Sequence, residues 1–382
     1  MGQPLSRSLS DQHGEWCAFC LEYFLRGEVR HLHHVLMRKR IKDRFGSNLD
    51  FAWVIPVHGA RYDNEVSCHE KIQSYTNFIT DRFFEKLDKE DNLAEREQSA
   101  RQFHDRGYYW LSALGNLDSI QTRIDGIDEE QLIRRCEFAL SSAAGVRGGQ
   151  NLPKLLMSHG IPVQSPRIQL NLANLQAARG HEVVARRTLR LVTDITELLP
   201  KREKESLKPG LLRRQAQLSR SASDAREAVS AAETDYSRDT ALVIQGVLAV
   251  SSHSFRYVEE SLEQLSARGN TISWLYRAEK QFILALFLIL SGSKDHATIY
   301  SLLCEAQYVY ILLGLQFSIS PKLPFEGPPD RSWDWTPSDV LRSYFTSTGK
   351  HTLSRAECYD IRRRTIHNHD LREQILSPMW AA

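Results

Sequence analysis

Helical periodicity runs almost unbroken from about Gln98 to about Ser318, and it limits this chain more than any other feature does. Apolar residues recur there three and four positions apart, the spacing that lines one face of an α-helix. Gln102 to Leu117 and Glu129 to Ala144 form one candidate pair, interrupted by Gly145 to Gly149 and by Pro153, Pro162 and Pro166. Further hairpins fit Leu211 to Tyr236, Thr240 to Ala267 with a stop at Gly269-Asn270, and Ser273 to Leu315 broken at Ser291-Gly292-Ser293. Isolated pairs of this kind cannot bury their apolar faces, so stacking of roughly three to five pairs is the expected solution.

The clearest unit is Arg167 to Pro200. Leu172, Ala173, Leu175 and Ala178 lead to Gly180, then Ala185, Leu189, Leu191 and Leu198 lead to Pro200. The unit spans about 34 residues, and in rhythm, small contact residues and terminal proline it resembles the tetratricopeptide repeat family. It lacks the early Trp and the Leu-Gly pair of that consensus. The resemblance implies an α-solenoid whose surface binds a protein partner.

Apolar residues make up 42% of the 382 positions, enough to form a core without disulfides. A net charge of +2 leaves any nucleic-acid contact to a local patch. The opening MGQPLSRSLSDQHGEW has no apolar centre, and Phe282 to Leu290 is too short for a membrane span. The expectation is a cytoplasmic protein with no membrane partner. Of six cysteines only Cys17 and Cys20 are paired in sequence, which in a reducing compartment points to metal or redox use.

Chemistry concentrates near the N-terminus. Val29 to Val35 reads as a short strand and Phe51 to Val57 as a better one, followed by a helix carrying Ile72, Tyr75, Ile79 and Phe83. Cys17 and Cys20 precede the first strand, which ends in His31, His33 and His34. Asn48 sits in the loop, His58 closes the second strand, and Cys68-His69 precede the helix. This order resembles the HNH endonuclease family, a ββα-metal fold, over roughly residues 15 to 75. The resemblance implies His33 as a metal ligand, His34 as general base, Asn48 as the anchor that orients the base, and His58 as the second ligand. The ion would be Mg, Mn or Zn, and the substrate DNA rather than RNA. Members often add a structural zinc held by two Cys-x-x-Cys pairs. Here only Cys17 and Cys20 match, and Cys68 and His69 are the candidate substitutes. Arg38, Lys39, Arg40 and Lys42 follow the histidines and would lie beside phosphates, unless the run is a solvated loop.

A second place for chemistry lies near the C-terminus. Arg362 with His367, or Arg364 with His369, resembles the Arg-x4-His motif of HEPN ribonucleases, which implies metal-independent RNA cleavage. A basic helix end is the plainer account.

The expected fold is mainly α. A flexible stretch (1–15) leads to a ββα module of zinc or metal type (16–97). A solenoid of helical hairpins follows (98–318), then a Pro/Trp strap with a basic helix (319–382). The expected function is metal-dependent phosphodiester hydrolysis regulated by a partner-binding scaffold, in bacterial defence or DNA processing. The alternative is a non-catalytic helical adaptor with a zinc-held cap.

Overall fold

The structure is a computed structural model, and it describes residues 16–24, 30–46, 53–59, 67–90, 92–122, 128–146, 152–158, 163–315, 336–346 and 353–376. It is mainly helical, and the described residues hold a single two-stranded sheet. No helix is long and apolar enough to cross a membrane.

Strand β1 (Arg30–His34) pairs antiparallel with β2 (Val54–His58), with Arg30 opposite His58 and His34 opposite Val54. Between them lies α1 (Arg38–Phe45), which puts the basic run on a helix rather than in a loop. Ile41 and Phe45, four residues apart, bury its inner face. Arg40 is bonded to Asp81 with its guanidinium 4.5 Å from the Phe84 ring, and Arg44 holds Asp88 at 2.6 Å and the buried Asp118 at 2.7 Å. Arg38 and Lys39 remain exposed.

Helix α2 (Cys68–Lys89) packs against both strands. Its start is set by a capping box: Ser67 accepts from Glu70 N, and Glu70 accepts from Ser67 N. Next come α3 (Leu93–Asp105) and α4 (Tyr109–Thr122), which break one expected helix at Gly107, where φ is +89°. Then follow α5 (Glu129–Ala144), α6 (Leu152–Ser158), α7 (Pro166–Ala178) and α8 (Glu182–Glu197). Helices α7 and α8 form a hairpin turned at Gly180, and Pro200 caps α9 (Lys201–Ser219). A left-handed Arg220 ends α9, so Leu211 to Tyr236 is the end of one long helix and the short α10 (Ala222–Ser230). The pairs α11 (Asp235–Ser251) with α12 (Phe255–Ala267), and α13 (Trp274–Leu290) with α14 (His296–Leu313), fall where periodicity places them. Helices α15 (Pro337–Thr346), α16 (Arg355–Asn368) and α17 (Leu371–Leu376) pack back on α14. The expected strap at 319–335 lies outside the described residues.

The largest core runs without a break from Trp16 to Leu376. Trp53 donates Nε1–H to Leu312 O at 2.9 Å, and Trp16 stacks on Tyr308 at 6.1 Å. Gly314 caps α14 at φ +60°. A Cβ there would stand 2.8 Å from Trp53 Cδ1 and 3.2 Å from Trp110 Nε1, so both backbone conformation and space demand glycine. The N-terminal strands are thus seated on the helical body rather than beside it.

Candidate metal centre

Four ligand atoms, from Cys17, Cys20, His58 and Cys68, all lie within 4.8 Å of one another. Tetrahedral zinc with sulfur at about 2.3 Å fits inside that spacing. Three thiolates and one imidazole form a soft donor set that suits zinc, and four protein ligands leave no open position, as in structural sites.

Each ligand is placed by local backbone. Residues 16–24 form a knuckle. Trp16 pairs with Tyr23, Cys17 N donates to Glu22 O, Leu21 N donates to Cys17 O, and Leu21 takes φ 67° to make the turn. Phe19 N points at Cys17 Sγ at 3.4 Å, and Ala18 N ties the knuckle to Pro56 O on β2. His58 ends β2 with Nδ1 3.3 Å from Cys20 Sγ. The capping box makes Cys68 the first residue of α2 and His69 the second. Successive helical residues are about 100° apart, so these two aim at different targets. Cys68 joins the thiols, whereas His69 turns to the histidines of β1. The fourth member of the cluster is therefore His58, and the expected His69 lies outside it.

Hydrogen bonds from Cys20 and Cys68 push the Cys17 thiol down to about 2, so negative charge gathers on a fully buried sulfur. The same contacts and burial push Cys20 upward. A cation is the natural occupant of such a pocket.

His33 and His58 do not share a site. Strand register pairs His58 with Arg30 and His33 with Ile55, three positions away, and alternation puts the two histidines on opposite faces of the hairpin. His33 instead meets His69, ring centroids 4.6 Å apart, and His31 meets the same ring at 5.4 Å. His34 faces away from this trio by the same alternation. Asn48 lies outside the described residues.

The tautomer of His33 follows from its partner. Thr76 Oγ1 donates its only hydrogen to His34 O at 3.2 Å, so in the 2.7 Å contact with His33 Nε2 it must accept. The ring proton is then on Nε2, and Nδ1 keeps a lone pair that is buried and has no hydrogen-bond partner. Burial, then the neighbouring His69 and His34, push His33 down to about 4. Burial and His31 also lower His69. Neutral imidazoles facing one another repel protons and accept metal ions.

The C-terminal motif is used otherwise. Arg362 is fully buried, donating Nε–H to Leu21 O at 3.0 Å and Nη1–H to Tyr300 Oη at 2.8 Å, and it lies 4.1 Å from the Tyr23 ring centroid. It is a strut for the knuckle, which removes the Arg362–His367 pair as a phosphate site. Arg364 is exposed and donates to Asp360 O, and His367 and His369 are exposed at the end of α16. Comparisons with protein-family models, with curated proteins and with solved structures gave no match, so the centre stands on its own geometry.

Proposed function

We propose that this protein is a metal-dependent nucleic-acid phosphodiesterase whose catalytic ion is held by His33 and His69. The carrying observation is the buried Nδ1 of His33, which makes no hydrogen bond, on a ring whose centroid lies 4.6 Å from that of His69. The Cys17–Cys20–His58–Cys68 knot fixes the start of α2, and with it the direction of His69. A divalent ion bound there would neutralise phosphate charge and acidify a water. Imidazole donors favour Mn, Co, Ni or Zn over Mg, which prefers oxygen. His31 is exposed, shares the face of His33, and sits over Gly59, where a Cβ would lie 2.8 Å from its Nε2. It is placed to take the proton from water, a role that the HNH resemblance gives to His34. Arg38 and Lys39, exposed on the helix after β1, supply positive charge for a polyanion.

His33→Ala and His69→Ala are expected to abolish Mn-supported cleavage of DNA while leaving bound zinc unchanged. His31→Ala is expected to lower the rate about 10²–10⁴-fold as loss of a general base, and His34→Ala to lower it far less. If the wild-type protein cuts neither DNA nor RNA with any of these metals, the adaptor reading replaces this one. Val184, Leu191 and Leu198, exposed at intervals of seven residues on and just after α8, would then be the first surface to test for a partner.

Thr76→Val tests the tautomer argument without touching a ligand. Thr76 is buried and valine has nearly its shape, so the fold persists while the Nε2–H donor loses its acceptor. Outer-shell losses of this type weaken metal binding about 10–100-fold. Titration of the catalytic ion, followed by activity against Mn concentration, should show that weakening.

A further inference from the structure

Five large apolar side chains stand exposed among the described residues, and four of them, Val183, Val184, Leu191 and Leu198, belong to α8 and its C-terminal cap. The fifth, Phe78, lies under the Arg82 guanidinium, 5.6 Å from its ring centroid. Val183 and Leu198 leave 75% and 86% of their surface to water, so they do not graze the edge of a core.

Burial on α8 follows a different stripe. Ala185, Leu189, Val192 and Thr196 are buried where the helix packs on α7 and α9. That stripe is the one apolar face a surface helix needs. Val184, Leu191 and Leu198 recur every seven residues, a step that drifts by only about 20° around a helix. They form a second, nearly straight apolar stripe on the outer side. Exposed apolar surface gathered in one patch marks a place where another surface docks.

Charge complementarity identifies the occupant. Arg187 and Asp194 are exposed on one flank of the outer stripe, four residues before Leu191 and three after it. Neither forms an ion pair among the described residues. Their neighbours Arg186 and Glu197 are engaged already, with Glu182 at 3.8 Å and with Lys204. A second copy of α8, turned end over end about Leu191, brings Leu191 onto the partner's Leu191 and Val184 onto the partner's Leu198. The same flank of both helices meets in an antiparallel pair. Arg187 therefore faces the partner's Asp194, and Asp194 faces the partner's Arg187. A parallel pair would instead set Arg187 level with the partner's Arg187.

We propose that the outer face of α8 is the two-fold interface of a homodimer, with the Leu191 pair on the axis and a reciprocal Arg187–Asp194 ion pair on either side of it. Such an interface is self-complementary, as two-fold symmetry requires. One helix pair buries less than the roughly 1,200–2,000 Å² of a standard interface, so dissociation is expected on the order of 10–100 µM. None of these residues belongs to the metal centre or to the histidine cluster.

Sedimentation equilibrium of the full chain, from about 1 to 200 µM, tests the interface. The wild-type protein should pass from monomer to dimer across that range. Leu191→Asp sets two like charges on the axis and should weaken the dimer at least about 100-fold. Its melting at the lowest concentration should be unchanged, because the side chain is exposed in the monomer. Arg187→Asp and Asp194→Arg each turn both ion pairs into repulsions, so each protein alone should associate at least about tenfold more weakly. An equimolar mixture of the two restores opposite charges at both contacts and should regain the wild-type dimer. Neither a folding defect nor docking of a different protein produces that rescue. A wild type that stays monomeric throughout leaves the stripe to another protein and overturns the proposal. So does a dimer that survives Leu191→Asp, or a mixture that associates no more strongly than its components.

Discussion

The purified protein is expected to carry about one tightly held zinc ion, and Cys17→Ser, Cys20→Ser, Cys68→Ser and His58→Ala each to lose it. His69→Ala should keep it. The distinction rests on the capping box, which aims Cys68 at the thiols and His69 at β1. Without the ion the knuckle has little to hold it. Leu21 sits at φ 67°, a conformation that costs a non-glycine residue about 1–2 kcal/mol, and the buried Cys17 sulfur is left crowded against Cys20 and Cys68. Structural zinc supplies about 10–16 kcal/mol in isolated small modules. Here the helical body also braces the knuckle, so a loss of about 5 kcal/mol on chelation is expected. Protons compete with zinc for thiolate and imidazole, so release follows acidification and binding recovers toward neutral pH. Metal analysis after gel filtration checks the content. Cobalt substitution checks the ligands: a thiolate charge-transfer band should appear and drop by about a third in each cysteine variant that still binds. Full zinc content in His58→Ala, or zinc lost from His69→Ala, would restore the sequence-based assignment.

Much of the helical body could be read from residues alone. In α7 and α8 the apolar stripe repeats at helical spacing and the ends carry Gly180 and Pro200, so both helices and their turn are legible. Helix α4 is different. Every residue from Tyr109 to Ile120 is buried, so no polar face marks where it begins, and Gly107 before it passed as an interior residue. The basic run hid a helix because six of its first seven residues are charged, although Ile41 and Phe45 already gave the spacing. At the metal centre the thiols were legible and the fourth ligand was not. A second Cys-x-x-Cys was the pattern to look for. The sequence instead supplies a histidine at the end of β2 and a cysteine ten positions later, united only by the fold. Ser67-Cys68-His69-Glu70 held the missing information, since a capping box there separates Cys68 from His69 by one helical step.

Arg362→Ala is expected to destabilise the protein by about 3–5 kcal/mol, the range for breaking a buried charged network and leaving a large side chain's space empty. Arg362 gives Leu21 O a hydrogen bond, binds Tyr300 Oη, and lies over Tyr23 and Trp16 at 4.1 and 5.4 Å. Arg372, one helix later, does the same for Phe19 O, and stacks on the Phe19 ring at 4.5 Å. Two arginines from α16 and α17 therefore grip the carbonyls of the turn that holds Cys17 and Cys20. Removing one strips Leu21 O of its partner in a site closed to water, and it frees the left-handed residue that shapes the knuckle. Loss of the grip should also speed zinc removal by a chelator at least tenfold, at a temperature where the variant is still folded. Arg364→Ala, on the exposed side of the same helix, should change melting by no more than about 0.5 kcal/mol and leave zinc release as in the wild type. A purely local role for Arg362 predicts lower melting with unchanged zinc release. Coupled changes in both require that the end of the chain brace the metal knot at its beginning.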